Sequence, residues 1–460
     1  MAGGSKSRAQ KMAGLAVTLL ALVAAGFLTI LNGCSGGSSA VDNGGHHHPA
    51  TPTPTAVPPA ACSGQAILAI DPVANVAYVP IYTLDGSGNA QLAVVDLTVG
   101  ATSPILKEIS LVGSVQGLGA TYNPNNKTIL ALGIDSSTNL KVYEIDTTTQ
   151  AVTGSLAITG VTGEPSRGGI IEDFTVNKAY VAGYNQFAVL DTSVSPPTLD
   201  PTITSVSPSF YDSFSINIAT GIMFISGDGT NAIVPLTTTP LVSENFSDAF
   251  ATTDGNAFDP TTNILLLTNE VGADNSWVFN FATLDTTTPP ATALNVAVPG
   301  LGTAPPLGEG PGGMAAINCT THQGVVGDEF GQNFKLIHLP TAPITGAPDN
   351  NGQPGSGTTA DANSAYTIAA ALIPMGLVTG TETQLGMIGD PNSLAVDSGH
   401  NFMYAEADTD PNFHGWDPGS TTPLFLIRVD LSAPVLGASP TGGPDGHTFW
   451  TPTEEAIPLP

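Results

Sequence analysis

The sequence predicts an all-β protein, a seven-bladed β-propeller with four strands in each blade, from three features. The first is a repeating unit: an apolar strand, a polar turn, a second apolar strand and a third strand that ends near Asp. The second is the spacing of these units along the chain. The third is the abundance of turn residues, 52 Gly and 38 Pro, which is typical of short strands joined by turns. The seven units begin at Ala66, Leu118, Gly169, Phe214, Asn256, Met314 and Ser393.

The turn after the first strand of each unit measures the period of the repeat. These turns lie near Pro72, Pro124, Val176, Ala219, Pro260, Thr320 and Ser398, which gives steps of 52, 52, 43, 41, 60 and 78 residues. Most of these steps bracket the length of a four-stranded blade. Third strands are predicted to end at Asp96, Asp146, Asp191, Asp285 and Asp430, and fourth strands at 105–111, 151–158, 199–206 and 293–298. A parallel β-helix is the alternative, but its coils are shorter than these units.

The first sixty residues predict export. Lys6, Arg8 and Lys11 precede an uncharged stretch, Met12–Leu31, as in a secretory signal. The stretch ends in Leu-Asn-Gly-Cys, which resembles the lipobox of bacterial lipoproteins and implies that Cys34 is lipidated. A plain transmembrane anchor is the alternative, because about 20 apolar residues can span a bilayer. We expect a signal peptide at 1–33, a disordered Pro-, Thr- and Gly-rich tether at 34–61, and the propeller at 62–460.

The mature chain is strongly acidic. Three of the 10 basic residues and none of the 38 acidic ones precede Cys34, which leaves seven basic residues and a net charge of −31. Nucleic acid is therefore excluded as a partner, and we expect membrane contact only through the lipid. Cys62 and Cys319 remain, but the repeat places them at opposite ends of the strand layer. Since pairing needs Cα atoms within about 7 Å, we expect no disulfide between them.

Five successive units place a carboxylate just before their first strand, where the mouth of the central channel is expected. These residues are Glu164, Asp212, Asp254, Glu309 and Asp390. Converging carboxylates repel one another unless a cation relieves them, so Ca²⁺ or another divalent cation is the predicted occupant. Arg167 follows Glu164 and is an alternative source of neutralisation. The other interpretation is that these side chains cap turns.

Two loops have the oxygen-rich spacing of a calcium-binding loop. They are 85–89 and the stretch that carries Asp408, Asp410, Asn412, His414 and Asp417. Neither has the bidentate Glu that completes such a loop, so a solvated turn is the favoured interpretation. Tyr211 and Trp416 lie in loops on the channel side, and with Arg167 they are candidates for a ligand platform, although Trp416 also suits packing over a blade edge.

The unit that runs from Asp390 through DPNSLAVDSGHNFMYAEA and on to FLIRVDL resembles the repeats of the YVTN and NHL propeller families. The resemblance spans nearly all of residues 66–459, and it implies a secreted or surface propeller. These families include binding platforms, structural repeats and some enzymes, so the resemblance alone does not fix a function.

Two short fragments suggest an enzyme. LGEGPGGM at 307–314 and TDGNAFD at 253–259 are similar to elements of the gluconolactonase family. The similarity implies that Glu309 and Asp254 would bind a catalytic metal, completed by Asp390 or Asn392. Serine hydrolase, zincin, haem and nucleotide motifs are absent from the sequence.

We therefore expect a monomeric binding or scaffold module of the bacterial cell envelope, either lipid-anchored or secreted. Its acidic funnel would take an extracellular protein or glycan. A metal-dependent lactonase is the alternative.

Overall fold

A computed structural model gives the fold. It describes residues 68–163, 168–184, 186–205, 213–218, 220–228, 231–237, 244–246, 252–253, 255–268, 275–280, 294–297, 313–328, 333–339, 368–372, 375–378, 381–384, 386–387, 394–409, 419–431, 449–450 and 455–460. All of them belong to one compact unit, Val57–Pro460. Every regular element in these ranges is a β-strand, and no helix among them is long and apolar enough to cross a membrane.

Each of the first four sheets contains four consecutive strands in chain order, and sheet 4 has one further short strand that pairs with its second strand. Sheet 1 has β1 (Ala69–Asp71), β2 (Val76–Ile81), β3 (Gln91–Asp96) and β4 (Ile105–Ser110). Sheet 2 has β5 (Gln116–Asn123), β6 (Thr128–Ile134), β7 (Asn139–Asp146) and β8 (Ala151–Thr162). Sheet 3 has β9 (Gly169–Asp173), β10 (Lys178–Ala182), β11 (Gln186–Asp191) and β12 (Thr198–Ser205). Sheet 4 has β13 (Ser213–Asn217), β14 (Ile222–Asp228), β15 (Asn231–Pro235), β16 (Glu244–Phe246) and β17 (Thr252–Thr253).

The remaining sheets follow the same order with additions. Sheet 5 has β18 (Asn256–Asp259), β19 (Ile264–Thr268), β20 (Asn275–Asn280) and β21 (Leu294–Ala297). Sheet 6 has β22 (Gly313–Asn318), β23 (Gln323–Asp328), β24 (Asn333–His338) and β25 (Ile368–Leu372), and β26 (Met375–Val378) pairs separately with β27 (Thr381–Gln384). Sheet 7 has β28 (Gly386–Met387), β29 (Leu394–Asp397), β30 (Phe402–Asp408), β31 (Leu424–Asp430) and β33 (Glu455–Pro458). The short strand β32 (Phe449–Trp450) crosses back to pair in parallel with β25 of sheet 6.

The first strands of successive sheets lie side by side, from β1 and β5 round to β22 and β29. We call the end at which these strands begin the upper face, and the end that carries the hairpin turn to the second strand the lower face. Because neighbouring turns contact one another, the sheets share these two faces. For example, the Asn123 side chain of sheet 2 donates to Glu172 of sheet 3, and the Asn318 side chain of sheet 6 donates to Asn401 of sheet 7.

Apolar side chains fill the spaces between sheets, because each sheet buries residues on both of its faces. Val79 and Leu97 of sheet 1 pack with Tyr404 and Leu426 of sheet 7, so the last sheet covers the first. Full burial of one such side chain contributes about 1.5–3 kcal/mol. The prediction of an all-β propeller with four-stranded blades is confirmed.

One hairpin turn recurs on the lower face. An Asp or Asn ends the first strand, and its side-chain oxygen accepts main-chain N–H groups two or three residues later, as Asp71 does from Val73 and Ala74. The residue before the second strand has a left-handed conformation, with φ between 53° and 63°, in all seven turns: Asn75, Lys127, Asn177, Gly221, Asn263, His322 and Asn401. These Asx turns occupy the predicted turn positions and satisfy backbone groups that the strands leave free.

Four of the predicted third-strand ends are confirmed, because β3, β7, β11 and β31 end at Asp96, Asp146, Asp191 and Asp430. Asp285 lies outside the described residues. Strands β4, β8, β12 and β21 occur where fourth strands are predicted. Cys319 is disulfide-bonded. Cys34 and Cys62, the other cysteines, lie outside the described residues, so the expectation that Cys62 and Cys319 do not pair stays a prediction.

Asp259 gives a test of the Asx turn. Its Oδ1 accepts from the Thr261 N–H at 2.8 Å and from the Thr261 hydroxyl at 2.6 Å, and its Oδ2 lies 2.8 Å from His322 Nδ1. Asp259→Ala should lower the free energy of unfolding by about 2–4 kcal/mol, because it removes the buried carboxylate that accepts from Thr261 and binds His322. Asp259→Asn keeps one acceptor oxygen and should lose less than half as much. Denaturant unfolding measures the free energy of unfolding of both variants. If both variants lose the same free energy, the hydrogen bonds accepted by Asp259 do not stabilise the turn.

Candidate functional site

The upper face carries acidic residues that the sequence analysis missed. Strands β14, β23 and β30 are the second strands of sheets 4, 6 and 7, and each ends in Asp at this face: Asp228, Asp328 and Asp408. Aligning the segments ISGD, VVGD and AEAD gives the signal that would have found them. Of these three side chains, that of Asp408 is fully buried, so it belongs to the contact between sheets and not to the exposed face.

The backbone on both sides of Asp254 is fixed at this face. Before it, Thr252 and Thr253 of β17 pair with Asp228 and Gly227 of β14, in the same sheet 4. After it, the Gly255 N–H donates to the Thr268 hydroxyl at 2.9 Å. Asp254 is therefore two residues from Thr252, which pairs with Asp228.

A buried polar network joins the first strands of sheets 4 and 5. The Asn256 N–H donates to Ser213 Oγ at 3.3 Å, Asn256 Oδ1 accepts from Ser215 at 2.5 Å, and Asn256 Nδ2 donates to Ser226 at 2.8 Å. Ser213 directly follows Asp212, and Asn256 lies two residues after Asp254. The network therefore fixes next to each other the strands that these two candidate residues precede.

Sheets 7 and 1 meet beside a set of buried polar side chains. Asp408 and Glu406 are fully buried on β30, and the Tyr82 hydroxyl of sheet 1 donates to Asp408 Oδ2 at 3.3 Å. Arg428, which is 2% exposed, donates to the Leu97 carbonyl oxygen at 2.5 Å and lies over the Phe402 ring. Burial lowers the pKa of Arg428 and raises the pKa of Tyr404, its cross-strand neighbour. The hydrogen bonds from Tyr82 to Asp408 and from Arg428 to Leu97 stabilise the packing of sheet 7 against sheet 1.

The loop 85–89 is a hydrogen-bonded turn, as the favoured interpretation holds. Asp85 accepts hydrogen bonds from the Ser87 and Asn89 N–H groups, from the Asn89 side chain and from the Ser110 hydroxyl. The bonds from Ser110 and Asn89 hold the pKa of Asp85 below its usual value. Sheet 2 repeats the turn at Asp135, whose carboxylate accepts from Ser137 and Asn139. Of the second oxygen-rich loop, only Asp408 lies among the described residues.

The predicted site residues lie outside the described residues. They are Glu164, Arg167, Tyr211, Asp212, Asp254, Glu309, Asp390, Asn392 and Trp416, together with Cys34. What the structure describes are the strands that they precede. Within the described residues, no group of three or more His, Cys, Asp or Glu side chains is arranged to hold a metal ion.

Comparison with known proteins shows the fold alone. No protein-family model matches the chain, and no curated protein matches its sequence. Hydrazine synthase of Kuenenia stuttgartiensis is similar in structure, with a TM-score of 0.52, 12% identity, and coverage of 82% of this chain and 99% of that one. A hypothetical selenium-binding protein from Sulfolobus tokodaii has a TM-score of 0.51 and 12% identity over 84% of this chain and 92% of its own.

A third structure, from Bacteroides uniformis and provisionally assigned as a 6-phosphogluconolactonase, has a TM-score of 0.41 and 12% identity over 59% of this chain and 80% of its own. That score is too low to support a comparison of function. The class that the fold defines is the β-propeller.

The loop at Asp135 gives a test of upper-face rigidity. Thr138 has φ 64°, a costly conformation for a β-branched residue, whereas the equivalent position in sheet 1 is Gly88 with φ 79°. Thr138→Gly should raise the free energy of unfolding by about 0.5–1 kcal/mol. The matched control is Ser137→Gly, at a position without a left-handed φ, which should lower it by about 0.5–1 kcal/mol. Thermal unfolding compares the two variants. If Thr138→Gly is less stable than wild type, the left-handed backbone at Thr138 does not cost stability.

Proposed function

We propose that this protein is a cell-envelope binding module that captures an extracellular partner on the acidic upper face of its propeller. The observation that carries the proposal is the fixed backbone around Asp254. The adjacent strand β17 pairs with Asp228, and the following segment contacts Ser213, next to Asp212. Asp212, Asp228 and Asp254 thus lie in or beside backbone segments that contact one another. The chain has few basic residues to neutralise them.

We further propose that the propeller has seven blades in one closed ring. Sheets 1–7 each contain at least four strands within the described residues, and each first strand contacts the next one along the chain. The packing of sheet 7 against sheet 1 supports closure. In a closed ring the upper face has a single opening of the central channel, and the partner would bind over that opening.

The partner is expected to be cationic or bridged by a cation, because an acidic surface attracts positive charge and repels anionic membranes and nucleic acid. A glycan or protein that presents amino groups, or that binds through Ca²⁺, fits this chemistry. The exported location follows from the signal-like N-terminus and the lipobox-like Cys34, and remains part of the proposal.

A metal-dependent lactonase is the second candidate. One observation favours it: strands β18 and β22 are neighbours, and they follow Asp254 and Glu309 by two and four residues. Two carboxylates on neighbouring segments suit a shared divalent cation, which would polarise a lactone carbonyl.

Calorimetric titration of the chelator-stripped protein with Ca²⁺, Mg²⁺, Mn²⁺ and Zn²⁺, followed by lactone hydrolysis assays, separates the two candidates. For either one, Asp254→Asn combined with Glu309→Gln should weaken binding of a cation or cationic partner at least about tenfold. Only the lactonase also predicts loss of turnover. The matched control, Glu108→Gln combined with Asp200→Asn, removes the same charge from outer strands and should leave binding unchanged. Equal behaviour of both double variants would reject the upper-face site.

Lipidation has its own test. In a bacterial host, the wild-type chain should sediment with membranes, incorporate labelled fatty acid and begin at Cys34 after processing. Cys34→Ala should abolish the label. A labelled Cys34→Ala variant would show that the lipid is attached elsewhere, and an unlabelled wild type whose stretch 12–31 is retained would favour the transmembrane alternative.

A further inference from the structure

The outer edge of sheet 2 is formed by β8 (Ala151–Thr162), which at 12 residues is the longest of the described strands. It pairs with β7 on one side, and within the described residues no strand pairs with its other side. Its sequence, AVTGSLAITGVT, contains no charged residue and no Pro. An outer strand of this kind presents free N–H and C=O groups with which another extended chain can pair.

The outer strands of the other sheets have features that hinder such pairing. Those of sheets 1, 3 and 7 contain charged residues or Pro: Lys107 and Glu108 on β4, Asp200 and Pro201 on β12, and Glu455 and Pro458 on β33. Those of sheets 4 and 5, β16 and β21, have only three and four residues. That of sheet 6, β25, pairs with β32 on its outer side. Among the described outer strands, only β8 is long, uncharged and open to pairing.

The free edge of β8 is held in place by the rest of the propeller. Residues 154–158 pair in regular register with β7, between two register shifts. Ile158 is buried in one apolar cluster with Ile170 of sheet 3. Ser155 and Ala157, on the opposite face of the strand, are exposed. Because the edge is already ordered, a second strand that pairs with it has to order only itself.

The charges beside β8 balance, although the mature chain has a net charge of −31. One basic and one acidic side chain lie towards each end of the strand: Lys107 and Asp146 at the lower end, and Lys141 and Asp135 at the upper end. A second copy whose β8 runs antiparallel exchanges the two ends, so each basic side chain meets an end that carries an acidic one. Over most of the remaining surface, the excess of acidic residues makes two copies repel each other.

We propose that the β8 strands of two copies pair in antiparallel orientation about a two-fold axis, and that this pairing joins the two copies of sheet 2 into one eight-stranded sheet. A two-fold axis lets one strand supply both sides of the interface. The dimer differs from the monomer that the sequence predicts. An interface based on one strand is smaller than the roughly 1,600 Å² of a typical stable complex, so the Kd should be on the order of 10 µM.

The test is sedimentation equilibrium of the full-length chain in density-matched detergent, at concentrations below and above this Kd. Wild type should pass from monomer to dimer. Ala157→Lys places like charges close together on the paired strands and should raise the Kd at least about tenfold. The matched control is Val73→Lys, which adds the same charge at a position that is 77% exposed, in a turn of sheet 1, and it should leave the Kd unchanged.

Backbone hydrogen exchange of wild type locates the interface without a substitution. Amide groups of residues 154–158 that face away from β7 should exchange more slowly above the Kd than below it. Strand β4, the outer strand of sheet 1, is the internal control, and its exchange should not depend on concentration. In Ala157→Lys, the dependence on concentration should also disappear from residues 154–158.

The proposal is overturned if wild type stays monomeric at all these concentrations, or if Ala157→Lys dimerises as tightly as Val73→Lys. A dimer whose residues 154–158 gain no protection would also overturn it, because the copies would then associate elsewhere, for example through the stretch 12–31. The upper face takes no part in this contact. The Asp254→Asn and Glu309→Gln double variant should therefore dimerise like wild type, whether or not the upper face binds a partner.

Discussion

The packing of the last sheet against the first is the contact on which the rest of the arrangement depends. Strands such as β2 and β6 are buried at every position, so each sheet must be covered on both faces. Sheet 1 can meet this requirement only with a sheet formed more than 300 residues later, where Arg428 reaches the Leu97 carbonyl oxygen. A buried guanidinium without that acceptor would be strongly destabilising. Along the chain, β32 pairs with sheet 6 before β33 forms the last strand of sheet 7.

The two faces differ in how they use acidic and amide side chains. On the lower face, Asp71, Asn123 and Asp259 are consumed by their own turns and by contacts to the next sheet. They hold adjacent sheets in register and have little left for a ligand. On the upper face, Asp228 and Asp328 end strands at register positions beside connecting segments. Turn capping therefore explains many of the acidic residues on both faces, because Asp85 and Asp135 also cap turns of the upper face.

Much of the repeat could be predicted because its signals are local. A strand, an Asx turn and a left-handed residue follow one another within a few positions, so the turns near Pro72 and Pro260 and the strand ends at Asp96 and Asp146 are found from sequence. The hydrogen bonds of Glu172 and Arg428 could not be found this way, because their partners, Asn123 and Leu97, come from other sheets. Cys319 shows the same limit: the order of the strands alone does not indicate that it forms a disulfide or with which cysteine.

The high negative charge of the chain does not imply a diffuse need for cations. Hydrogen bonds from neighbouring hydroxyl and N–H groups lower the pKa values of Asp96, Asp135, Asp146 and Asp191, so the turns keep these carboxylates ionised without a counterion. The stability that these groups contribute is present above the unfolded-state pKa of Asp and is lost as the pH falls through their folded-state values. Glu172 has the opposite sign, because burial raises its pKa and its charge costs stability as the pH rises. The electrostatic cost of acidic charge therefore falls on the buried Glu172 and not on the turns, where acidic residues are most numerous.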